Sequence, residues 1–138
     1  MESLGRFVVA QEPVYAQALS ELRRGRKESH WMWFIFPQLG GLGRSPTARF
    51  YGIHGRNEAT AYLRHPLLGP RLLECTEALL AHPKRSAEQI LGSVDAMKFR
   101  SSMTLFEAVA EEPRTFGAAL DLFYEGARDQ QTLRLLAS

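Results

Sequence analysis

The sequence predicts an all-α fold: one compact domain of about eight to ten short helices, and not a simple four-helix bundle. Three observations carry this. Apolar residues recur at helical spacing in most segments. Proline and glycine interrupt the chain at short, regular intervals. No segment shows the apolar–polar alternation of a half-buried strand. The 138 residues, 45% of them apolar, fit a single domain spanning 1–138. A chain of this size buries a core without a disulfide or a metal.

The elements follow in order. A first helix is expected over 4–10, with Ser3 as its cap. A second starts at Pro13, since proline lacks the N–H that goes unpaired in a first turn. Val14, Ala18, Leu19 and Leu22 form its stripe, and Arg23, Arg24 and Gly25 end it. The run 29–36 (SHWMWFIF) is apolar almost all round, which predicts a short buried helix stopped by Pro37. In it, Phe34, Ile35 and Phe36 are assigned to the core. A glycine-rich loop covers 38–43, and Ser45-Pro46 opens a helix to about Tyr51. The next runs over 57–64, with Asn57 as cap and His65-Pro66 as stop. The central helix over 70–82 places Leu72, Leu73, Thr76, Leu79 and Leu80 on one face. Ser86 and Gln89 have capping-box spacing, so a short helix runs to Leu91 before Gly92. Ser93 or Asp95 then caps the longest helix, to about Ala110, in which Met97, Met103, Leu105, Phe106 and Val109 are expected to be buried. Pro113 opens a helix to Phe123, and Asp129 caps a last one to Leu136.

Composition narrows the function. The 17 Lys and Arg balance 15 Asp and Glu to a net charge of +2, which argues against a nucleic-acid binder that works by bulk charge. The longest apolar run, 31–36, is far short of the roughly 20 residues a membrane span needs. The N-terminus has no signal-peptide pattern. A soluble, cytoplasmic protein is expected. The one cysteine, Cys75, reads as a packed small residue, and His54, His65 and His82 lack metal-ligand spacing, so neither metal nor cofactor is expected.

Three segments hold the polar inventory of a site. The first joins the basic residues Arg26 and Lys27 to His30, Trp31 and Trp33. The rings stack on flat molecules and cations, and a histidine there donates to an anion, transfers a proton or simply caps the structure. His30 is thus the candidate catalytic residue. The second is the glycine-rich loop with Gln38, Arg44 and Ser45, whose glycines permit close ligand approach. It is not a Walker A loop, because no lysine follows Gly43. The third holds Lys98, Arg100, Ser101, Ser102 and Thr104 on a core-like helix; either its hydroxyls bond back to their own helix or it forms the wall of a polar pocket.

The segments 26–38 (RKESHWMWFIFPQ), 41–48 (GLGRSPTA), 65–72 (HPLLGPRL) and 98–106 (KFRSSMTLF) resemble the signature segments of the bacterial family called domain of unknown function eighteen-ten. The likeness covers nearly the whole chain. It implies a compact, all-helical single domain and brings no established activity, substrate or catalytic residues. Some members carry a calpastatin label, but nothing in this chain resembles an inhibitor repeat. Lys98-Phe99 before a helical stretch is similar to families tied to ADP-ribose and NAD metabolism.

Two readings stand beside each other. In the leading one, the three segments converge on a pocket for a nucleotide, an ADP-ribose-like compound or another phosphorylated small molecule. In the other, the aromatic run is core and the chain is a non-enzymatic protein-interaction or structural domain. Whether the chain catalyses a reaction is left open, as are its protein partners.

Overall fold

The computed structural model describes residues 4–137. Ser3 lies outside them. Among the described residues the chain forms ten helices. They are α1 (Gly5–Gln11), α2 (Tyr15–Arg24), α3 (Met32–Ile35), α4 (Pro46–Phe50), α5 (Arg56–Arg64), α6 (Leu68–Leu80), α7 (Ala87–Leu91), α8 (Ser93–Val109), α9 (Arg114–Tyr124) and α10 (Gln130–Ala137).

α8 is the central post. Helices α5, α7, α9 and α10 all pack on it, which explains its unbroken buried run from Ser101 to Phe106. Rings tie the other elements to it. Phe36 meets Phe99 edge-on at 4.8 Å, and Tyr62 packs on Phe106 at 5.3 Å. Phe7 of α1 meets Tyr62 edge-on at 5.1 Å. One apolar core runs through these contacts.

Several ends form as local chemistry dictates. Gly25 closes α2 in the left-handed region at φ 76°, and its N–H reaches back to the Leu22 carbonyl. A side chain there would also press on the His82 ring, 3.1 Å from a Cβ. That ring in turn contacts the Leu22 carbonyl at 2.9 Å through Nε2. Ser45 caps α4 by accepting from the Ala48 N–H, and the Asp129 carboxylate caps α10 by accepting from the Thr132 N–H at 3.0 Å. Ser86 and Gln89 make the reciprocal capping box of α7. Ser86→Ala is expected to lower stability by about 1 kcal/mol. Urea denaturation measures this, and an unchanged midpoint would show that the cap adds nothing.

Other expectations are corrected. Pro13 lies in a turn, and α2 begins at Tyr15. The helix expected over 29–36 shrinks to one turn, Met32–Ile35. Glu21 anchors the non-helical stretch before it: its carboxylate accepts the N–H groups of Glu28 and Ser29 at 2.8 and 3.0 Å and the Trp31 indole N–H at 2.9 Å. Gly55, not Asn57, precedes α5, and the Glu58 carboxylate reaches back to the His54 N–H at 2.8 Å. α6 starts at Leu68, so Pro70 falls within its first turn, where no N–H partner is needed. Gly92 stands before α8 with no side-chain cap, because Asp95 instead pairs with Lys27 at 3.0 Å. Met97 is 73% exposed and Leu73 38%, since no element covers either. Phe34 is only half-buried, lying against Tyr51 at 5.3 Å.

After α3 the backbone extends. The Gly40 N–H donates to the Ile53 carbonyl at 2.8 Å, and the Ile53 N–H donates to the Gln38 carbonyl at 2.9 Å. This single parallel bridge, Leu39 to Ile53, pins the glycine-rich loop. No described helix is long and apolar enough to cross a membrane.

Candidate functional site

The first segment is mostly committed to structure. The Trp31 side chain is buried, and its indole N–H donates to Glu21 at 2.9 Å. The same carboxylate takes the Ser29 hydroxyl and the Gln17 amide at 2.8 Å. These donors hold the Glu21 carboxyl well below the ordinary range, although burial alone pushes it upward. The Lys27 ammonium donates to the Ser29 carbonyl at 2.6 Å and pairs with Asp95, 5.0 Å from the centre of the Trp31 ring. It is a buried strut between the 26–31 segment and α8. Arg26 and His30 are exposed and line none of the cavities described below.

The rest of the predicted inventory partly converges. Trp33, Gln38 and Lys98 line a slot of about 10 Å³ with Met32, Phe36 and Tyr51. Gln38 and Lys98 also line a groove of about 260 Å³, together with Gly43, Arg100, Ser101 and Asp129. The Lys98 ammonium lies 5.1 Å from the Trp33 ring centre, within cation–π range, and 3.8 Å from the Asp95 carboxylate. Arg100 is fixed by donating to the carbonyls of Ala127 at 2.7 Å and Arg128 at 2.8 Å. Arg44 is exposed and lines neither cavity, although Gly43 beside it does. Ser45 caps α4.

The hydroxyls of α8 divide. Ser101 bonds back to the Met97 carbonyl at 3.3 Å, and Thr104 to the Arg100 carbonyl at 2.8 Å. Thr104 also accepts the Asp129 N–H at 2.9 Å and so ties the start of α10 to α8. The buried Ser102 hydroxyl has no hydrogen-bond partner among the described residues.

Asp129 and Gln131 join the groove without any sequence signal, because tertiary packing alone lays α10 beside α8. A separate apolar cleft of about 200 Å³ lies among α5, α6, the end of α8 and α9. Leu63, Leu73, Val109 and Phe116 line it, and Arg64 pairs with Glu111 at 3.1 Å on its rim. None of the sequence-predicted site residues reaches it. Among the described residues no three His, Cys, Asp or Glu side chains gather as metal ligands.

These features define an all-α, single-core protein with a groove of mixed polar and apolar lining along its central helix. The chain belongs to the DUF1810 family of proteins of unknown function, whose model matches residues 1–136. It is similar to the conserved hypothetical protein Rv1873 from Mycobacterium tuberculosis, known from a crystal structure. The two share 52% identity and a TM-score of 0.96, over 98% of this chain and 96% of that one. No curated protein matches the chain.

Proposed function

We propose that the groove between the glycine-rich loop and α8 binds a small anionic molecule with a flat ring, nucleotide-like in its chemistry. One observation carries this reading: Lys98 lines both the slot and the groove while its ammonium lies over the Trp33 ring. A ligand placed there meets a positive charge and the Gln38 amide together, with the Trp33 ring in the adjoining slot. Asp129 in the same lining favours a ligand with hydrogen-bond donors, such as ribose hydroxyls, over a bare polyanion.

Thermal-shift measurement with nucleotides, ADP-ribose and sugar phosphates is the test. Stabilisation at millimolar ligand is expected for the wild type. Lys98→Ala removes a charge-assisted contact of about 1.5–3 kcal/mol and should weaken binding about tenfold or more. No stabilisation by any of these compounds would remove the reading.

A second reading rests on Val94 and Met97, which are 66% and 73% exposed in the same groove. Apolar side chains so placed suit a protein partner. In that case Met97→Glu abolishes association with the partner, while small molecules leave the melting temperature unmoved.

A further inference from the structure

The other face of the glycine-rich loop carries a different lining. Gly40 and Gly41, with Arg49, His54 and Leu135, bound a groove of about 420 Å³. A second groove of about 280 Å³ shares His54, Gly55 and Leu135 with it and adds Arg56 and Asn57. Every charged or titratable side chain in the two linings is basic. The Lys98 groove, by contrast, includes Asp129.

The two guanidiniums are unengaged. Among the described residues the side chains of Arg49 and Arg56 make no hydrogen bond or ion pair, and both are exposed. The His54 side chain is 67% exposed, 3.9 Å from the Glu58 carboxylate. Glu58 does not cancel them. Its side chain is only 8% exposed, and Arg6 holds it at 3.1 and 3.2 Å, so its charge is compensated inside the fold.

The backbone leaves room. Gly41 and Gly55 adopt φ of 99° and 101°, a region side chains rarely occupy. A Cβ on Gly55 would meet nothing within 4 Å, so its glycine answers to backbone angle and opens onto space. A Cβ on Gly41 would reach Leu135 at 3.9 Å, which sets the loop against α10.

The geometry points to a second binding site, for a phosphoryl group carried by a small molecule, between the glycine-rich loop, His54 and Arg56. Charge decides between oxyanions. A phosphate monoester carries close to two negative charges at neutral pH and so gains from Arg49 in one lining and Arg56 in the adjoining one, whereas a carboxylate needs only one cation. The site is independent of Trp33 and Lys98, so it stands or falls apart from the function proposed above.

Inorganic phosphate titrated into the 15N-labelled full chain, at ionic strength matched with chloride, tests the site. Saturable amide shifts are expected at Gly40, Gly41 and Gly55. The exposed double variant R49Q/R56Q should weaken phosphate binding at these glycines about tenfold or more, while Lys84→Gln, which removes a surface cation that lines neither groove, leaves it unchanged. Four results each overturn the proposal: shifts that chloride reproduces, no saturation at millimolar phosphate, equal affinity in R49Q/R56Q, or acetate binding as tightly as phosphate.

Discussion

Glu21→Ala is expected to destabilise the domain by about 3–5 kcal/mol, a large share of the roughly 5–15 kcal/mol that holds a domain folded. The residue is fully buried, and its carboxylate gathers donors from Gln17, Glu28, Ser29 and Trp31. Alanine leaves the Trp31 indole N–H buried without an acceptor, and each such orphan costs about 1–3 kcal/mol. It also frees the 28–31 backbone, which positions Trp33 and Gln38 downstream. Glu21→Gln keeps the shape and one acceptor oxygen and should lose less. Urea denaturation ranks the three proteins; an alanine variant with the wild-type midpoint would show that the cluster adds nothing. The same carboxylate predicts a pH dependence. Its folded pKa is lowered, so its stabilisation is full above the unfolded carboxyl value of about 4.3 and is lost as pH falls below that towards the folded value. Wild-type stability should therefore drop more steeply on acidification than that of Glu21→Gln.

Glu21 also shows where sequence stops being legible. On α2 it looks like any solvated glutamate; its partners lie up to ten residues on, in a non-helical segment that it anchors. Hence the aromatic run reads as a full helix when only one turn forms. Local signals were readable: the glycine after α2, the serine caps of α4 and α7, and the aspartate cap of α10 each involve residues within a few positions. Burial was less so, because periodicity cannot say which neighbour covers a stripe; Met97 keeps helical spacing with core residues yet faces out. The candidate site divides in the same way. Trp33, Gln38, Lys98, Arg100 and Ser101 meet around one slot and groove, but His30, Arg26 and Arg44 do not join them. Of the groove containing His54 only the glycine-rich loop was legible, since the rest comes together only where α10 lies against that loop.

Gly69→Ala is expected to cost about 3 kcal/mol or more, against the intuition of helix propensity. Alanine is favoured over glycine inside a helix by about 1 kcal/mol, and Gly69 sits in the first turn of α6. Sterics reverse the sign. A Cβ there would lie 2.1 Å from the Leu63 carbonyl oxygen and 3.0 Å from its carbon. The obstacle is backbone, so no rotamer change relieves it, and α5 must shift against α6. That shift would propagate. α5 carries Tyr62, whose ring packs on Phe7 and Phe106 and whose hydroxyl accepts from Gln11 at 3.1 Å. Gln11 also donates to the Phe34 carbonyl at 2.7 Å, so the strain reaches the turn that holds Trp33. Gly5→Ala is the control, because a Cβ on that glycine meets nothing within 4 Å and only propensity remains. A lowered melting temperature for Gly69→Ala beside an unchanged or raised one for Gly5→Ala is the expected pattern. Equal melting of the two variants would mean that α5 and α6 separate at negligible cost, and the close approach at Leu63 would then have no part in stability.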